Sequence, residues 1–165
     1  MSSNWKPHLQ RLAREHRMCA ENRAYLNACE DKTDAIRLYK QTIDWALEEG
    51  YPDLEFLRKE FNDCQGDGVF VDHHFTGQPL SEHQVYVFHH CTGTIRVGLN
   101  LAKKIIPMCY FANNCDMVIL GFEGERIFPD RVPLYIFGEN NIVANNTTTT
   151  EFRVYRHDTK EGGVR

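Results

Sequence analysis

No stretch of this 165-residue chain approaches the ~18 consecutive apolar residues of a membrane helix, so no membrane partner is expected. The opening residues, MSSNWKPHLQRLARE, lack both the apolar core and the small-residue cleavage site of a secretory signal. CxxC pairs are missing too. The six cysteines, at 19, 29, 64, 91, 109 and 115, are spaced too irregularly for a disulfide-stapled miniature fold. They are expected to be free thiols in a reducing cytosol, with Cys91, Cys109 and Cys115 packing as small apolar groups. An overall positive field is absent, because 19 Lys and Arg face 23 Asp and Glu for a net charge of −4, so nucleic acid is not an expected partner. A phosphate loop is lacking as well: Gly121-Phe122-Glu123-Gly124 has neither the strand–loop–helix setting nor the lysine.

One stretch departs from the acidic average. In the first 25 residues Lys6, Arg11, Arg14, Arg17 and Arg23, with His8 and His16, oppose only Glu15 and Glu21. This is either a phosphate-binding face or a solvated helix face, and the lack of interleaved aromatics or glycines favours the second.

A fold of α+β class is expected, with an N-terminal helical hairpin or three helices followed by a β-rich, repeat-like module, a short β-solenoid or a sandwich. Leu9, Leu12, Cys19 and Leu26 recur at helical spacing over 6–29. Ile36, Tyr39, Ile43, Ala46 and Leu47 mark a second helix, with Thr33 as a candidate cap and Gly50 as the stop, and Pro52 opens a short third helix. Composition changes at the turn-rich segment NDCQGDG, beyond which β-branched and aromatic residues dominate. The division is 1–62 helical, 68–158 β-rich and 159–165 a flexible tail. Thr147–Thr150 reads as a polar loop, and the sequons at Asn145 and Asn146 as turn residues.

The β-rich part repeats itself. Aligning Tyr86, Tyr110 and Tyr135 spaces three copies 24 and 25 residues apart and brings Cys91, Cys115 and Asn140 together, then Ile95, Ile119 and Ala144. A second register, matching Pro107 to Pro133 and Phe111 to Phe137, fits the last two copies nearly as well. A stacked β architecture leaves such a period, and so does an antiparallel meander or sandwich of evenly spaced strands. If the copies stack, Tyr86, Tyr110 and Tyr135 form a ladder that is either packing or a platform for a sugar or a protein partner.

Reactive chemistry is sparse. Asp72, His73, His74, His89, His90 and Cys91 carry zinc-type ligand atoms, but no pair has ligand spacing, so neither a metal nor another cofactor is expected. Catalytic residues are not expected either. His90 and Cys91, adjacent on a strand, point to opposite faces and cannot act on one another. Asp116, Glu123, Glu125 and Asp130 read as turn charges, with paired-carboxylate glycan hydrolysis as the rival.

Four stretches, AIRLYKQTIDWALEEGYP (35–52), CTGTIRVGLN (91–100), IIPMCYFANNC (105–115) and RVPLYIFGENN (131–141), resemble a group of small proteins encoded by phages and prophages of gut anaerobic bacteria. The likeness runs from about Cys19 to Tyr155 and transfers no catalytic residue. It implies a non-enzymatic phage structural or accessory protein in the host cytoplasm or the virion. Its expected partners are further copies of itself, as a trimer or dimer, and other phage or host proteins. The rivals are a host-directed binding protein, such as an inhibitor of a bacterial defence system, and a metal-dependent or carbohydrate-acting enzyme.

Overall fold

The computed structural model describes residues 4–98, 100, 102–121, 133–138, 141–145 and 153–157. Asn140, Glu123, Glu125, Asp130, Leu99, Phe152, the Thr147–Thr150 loop and the tail lie outside these. The chain divides into a helical unit, Met1–Asp63, and a β unit, Cys64–Arg165.

The helical unit holds α1 (Trp5–Glu15), α2 (Ala20–Ala28), α3 (Lys32–Gln41), α4 (Ile43–Glu49) and α5 (Leu54–Glu60). The helix expected over 6–29 is two helices. Arg17 adopts a left-handed φ of 58°, and Met18 N–H donates back to the Ala13 carbonyl, a helix-ending motif usually built on glycine. The second expected helix also breaks, at Thr42, whose hydroxyl donates to the Leu38 carbonyl and whose ψ turns to 24°. The cap of α3 falls two residues before the expected one. Asp31, rather than Thr33, accepts from the Asp34 amide, and Asp53 accepts from Phe56 to start α5. Gly50 ends α4 at φ 73°, as expected. Ile36, Tyr39, Ile43, Ala46, Leu57 and Phe61 are buried, with the Tyr39 and Phe56 rings packed edge-on to Phe61. No helix among the described residues is long and apolar enough to cross a membrane.

The β unit contains β1 (Val69–Val71), β2 (His74–Leu80), β3 (Val85–His89), β4 (Thr92–Val97), β5 (Met108–Ala112), β6 (Asp116–Leu120), β7 (Pro133–Phe137), β8 (Ile142–Asn145) and β9 (Arg153–His157). Odd strands form one sheet in the order β1-β3-β5-β7-β9, even strands a second in the order β2-β4-β6-β8. Every pairing between these strands is parallel, which overturns the antiparallel meander or sandwich. The chain therefore alternates between sheets, and each odd–even pair forms one rung.

Between the sheets lies one apolar core. From the odd sheet come Phe70, Tyr86, Phe88, Cys109, Phe111, Leu134 and Ile136, and from the even sheet Phe75, Ile95, Met117 and Ile119. Parallel in-register pairing stacks like on like. The Phe70, Phe88 and Phe111 rings lie nearly parallel, with centroids 5.5 and 5.0 Å apart. A first rung, β1 and β2, precedes the three copies visible in sequence. It pairs with the next rung at an offset of 18 residues, which keeps it out of an alignment spaced by 24 and 25.

The first two rungs leave no room for a side chain at Gly93. Its φ is 98°, and a Cβ there would sit 2.0 Å from the Phe75 carbonyl oxygen, a backbone atom that cannot step aside. Gly93→Ala should therefore cost more than about 3 kcal/mol in urea unfolding, since backbone strain and overpacking act together. Gly66→Ala, with nothing within 4 Å, is the near-neutral control. A Gly93→Ala loss below about 1 kcal/mol would show that the two rungs do not approach as described.

Candidate functional site

The polar side chains singled out in the sequence gather at the corners where the chain passes from the odd sheet to the even sheet. Each corner begins with a left-handed residue: Asp72 (φ 54°), His90 (52°), Asn113 and Asn114 (60° and 64°) and Gly138 (85°). Asp and Asn reach this region at low cost because their side chains bond locally, whereas His90 must be held there by its neighbours. The parallel ladder runs on through the turn: Asp72 N–H donates to the His89 carbonyl, His90 to Ala112, Asp116 to Cys91 and Ile142 to Cys115.

The two corner cysteines follow one pattern. Cys91 Sγ lies 3.4 Å from the Phe70 carbonyl oxygen and 3.4 Å from that of His89, and Cys115 Sγ lies 3.4 Å from that of Phe88 and 3.2 Å from that of Ala112, so each thiol sits between a carbonyl of the preceding rung and one of its own. At the next corner Asn141 takes this place, accepting from Cys115 N–H at 2.8 Å and donating to the Phe137 carbonyl at 2.7 Å. Cys91 is fully buried, and desolvation pushes its pKa up to about 12. A thiolate nucleophile is therefore not available at neutral pH. Burial raises Cys109 and Cys115 in the same direction.

The histidines are distributed rather than convergent. His73 packs its ring on Phe70 and Phe75. His74 Nδ1 is 2.8 Å from Thr92 Oγ1, and His83 Nε2 is 2.7 Å from the Gly66 carbonyl. His90 Nδ1 meets Asp72 Oδ1 at 2.7 Å on the exposed rim of the corner. His89 is 1% exposed and accepts at Nδ1 from Asn113 Nδ2 at 2.7 Å. Asp72, His73, His74, His89, His90 and Cys91 thus lie at or beside two successive corners without converging, and no three His, Cys, Asp or Glu form a metal-holding group among the described residues. Asn113, Asn141 and Gly93 were missed by sequence reasoning. The Asn-Asn pair at 113–114 was the available signal for that corner, since Asn is enriched among non-glycine residues in left-handed turns.

The tyrosine ladder is real for two members. Tyr110 pairs with Tyr135, and their rings stack at 4.6 Å and 11°. Tyr86, however, pairs with Cys109 rather than Tyr110. That one-residue displacement turns it to the opposite face. There it joins the core and accepts from the Glu82 and His83 amides. Tyr110 is only 5% exposed, so a continuous three-ring platform of Tyr86, Tyr110 and Tyr135 is not formed.

The basic N-terminal face separates into engaged and unengaged cations. Lys6 donates to the Cys29 carbonyl and Arg11 pairs with Glu15 at 3.0 Å. Arg14 and Arg23 instead line a groove of about 230 Å³ between α1 and α2, with Gln10, Ala13, Ala20, Ala24, Leu26 and Asn27.

No protein-family model, curated protein or solved structure matches the chain.

Burial lowers the His89 pKa from its ordinary 6.5 to about 3, the Asp72 charge opposing only in part. The unfolded chain takes up this proton near pH 6.5 and the folded chain does not, so the stability from neutral His89 is complete above pH 6.5. It is lost as pH falls toward 3. Urea unfolding at pH 7.5, 5.5 and 4.5 should show a fall of up to about 1.4 kcal/mol per pH unit from this group. His89→Gln should flatten that slope by about one proton, whatever its effect at pH 7.5. Identical slopes in the two proteins would mean that His89 is not held neutral.

Proposed function

We propose that this chain is a non-enzymatic structural or accessory protein of a phage or prophage, acting as a homo-oligomer through its β unit. In this reading the successive rungs are coils of a short β-solenoid. The alternation of strands between two parallel sheets supports it, as does the stacking of equivalent side chains in the core. The observation that carries the assembly reading is the even-sheet edge. Among the described residues β8 has one pairing neighbour, β6, and its first residue, Ile142, is 62% exposed. An unpaired parallel edge with an exposed β-branched residue invites another strand, and soluble proteins cover, charge or pair such an edge. Of the stretches that resemble phage and prophage proteins, CTGTIRVGLN and IIPMCYFANNC fall on β4 and β5 of this unit and AIRLYKQTIDWALEEGYP falls on α3 and α4 of the helical unit.

A second reading, a host-directed binding protein such as a defence inhibitor, is favoured by the unengaged arginines of the α1–α2 groove. It would place the interaction in the helical unit and would not require self-association.

Light scattering separates the two. The full chain at micromolar concentration should run at two or three times its 19.2 kDa mass, and Ile142→Glu should shift it to the monomer. A monomer that persists on concentration would sink the assembly reading and promote the second. An oligomer untouched by Ile142→Glu would remove β8 as the interface.

A further inference from the structure

The α1–α2 groove has the composition of an anion site. Arg14, in the last turn of α1, and Arg23, in the middle of α2, enter it from different helices. Neither guanidinium makes an ion pair or hydrogen bond among the described residues, whereas Lys6 and Arg11 on the same face are both engaged. The acidic side chains nearby do not answer them, for Glu15 is held by Arg11 and Glu21 does not line the groove. Two unpartnered cations that share a concave surface repel one another, and a bound anion relieves that repulsion. Beside them Gln10 Nε2 donates to Asn27 Oδ1 at 2.8 Å across the groove, which leaves the Asn27 amide as a further donor and the Gln10 carbonyl as an acceptor. The alanines at 13, 20 and 24 present only methyl groups, so the space stays open to a ligand.

We propose that this groove binds a phosphate group, held by the forks of Arg14 and Arg23 and by the Asn27 amide. Guanidinium geometry suits this ligand, because two parallel N–H donors match two oxygens of a phosphate. Size agrees: a volume of about 230 Å³ falls below the ~300 Å³ at which pockets begin to take drug-sized ligands, and so suits phosphate with at most a small substituent. The chemistry is shared by free phosphate and by the phosphate of a small ester. The site does not depend on the assembly reading above.

Titration of the full ¹⁵N-labelled chain with inorganic phosphate, at constant ionic strength set with chloride, tests this. Saturable shifts are expected at Gln10, Arg14, Arg23 and Asn27, with half-saturation on the order of 1 mM. Arg14→Gln and Arg23→Gln should each weaken binding about tenfold, the loss expected for a charge-assisted bond. Arg11→Gln, on the same helix, should change it less than about twofold. A sugar monophosphate that binds tighter than inorganic phosphate would identify the ester as the ligand, with Gln10→Ala removing the difference; equal binding would identify free phosphate. Non-saturable shifts would overturn the proposal. So would an Arg11→Gln loss equal to that of Arg23→Gln, since binding would then follow net charge rather than the groove.

Discussion

The β unit depends on the corner where the chain leaves one parallel sheet and enters the other. There the strand must turn without interrupting the ladder to the rung below, and its carbonyls must keep partners out of reach of water. The left-handed residue at each corner makes the turn, and the residue packed behind it adds a side-chain donor. Cys91 and Cys115 suit that position because a thiol is small enough for the core edge and still a weak donor to the Phe70 and Phe88 carbonyls. Leaving such a carbonyl unpaired would cost on the order of 1–3 kcal/mol, comparable with the net stability of several residues. Stacked aromatic rings follow from the same constraint, since a ladder that survives the corner keeps Phe88 stacked between Phe70 and Phe111.

Corner length also explains which parts of the architecture could be read from residues alone. Two residues separate β1 from β2 and β3 from β4, three separate β5 from β6, and four separate β7 from β8. Each added residue lengthens the repeat of the even sheet relative to the odd one. Hence β3 and β5 pair at an offset of 23 residues but β4 and β6 at 24, and β5 and β7 at 25 but β6 and β8 at 26. No single period aligns both sheets. The 24-residue alignment matched Ile95 to Ile119 correctly while placing Tyr86 level with Tyr110, one residue away from its true partner Cys109. The 25-residue alignment matched Tyr110 to Tyr135 and missed the partner of Ile119, which is Asn145 rather than Ala144. The competing 26-residue register, drawn from Pro107 and Pro133, was the offset of the even sheet. Strand positions survived these slips, because alternation of apolar residues is local. Side-chain facing did not, because one residue of register reverses it.

Helix ends were hidden for a related reason. Arg17 and Thr42 break their helices with residues that carry no breaking signal, one by holding a left-handed φ and the other by turning its hydroxyl back onto the helix. Gly50 and the apolar spacing of Ile36, Tyr39 and Ile43 were legible because glycine and periodicity act through the chain itself. The basic face of α1 was legible as composition only. Which cations are engaged depends on where Cys29 and Glu15 arrive in space, and the sequence does not display that.

The two units thus treat their polar side chains differently. In the β unit five histidines have protein neighbours: Thr92 for His74, Gly66 for His83, Asn113 for His89 and Asp72 for His90, with His73 packed on phenylalanine rings. Such contacts tie these side chains to neighbouring strands and turns, and the fold by itself assigns no chemistry to them. In the helical unit Lys6 and Arg11 are committed in the same structural sense, while Arg14 and Arg23 are not. An uncommitted pair of like charges in a concavity gains nothing for the fold, since each guanidinium stays hydrated and repels the other. The favourable interaction such a pair lacks within its own chain is one that an external anion can provide.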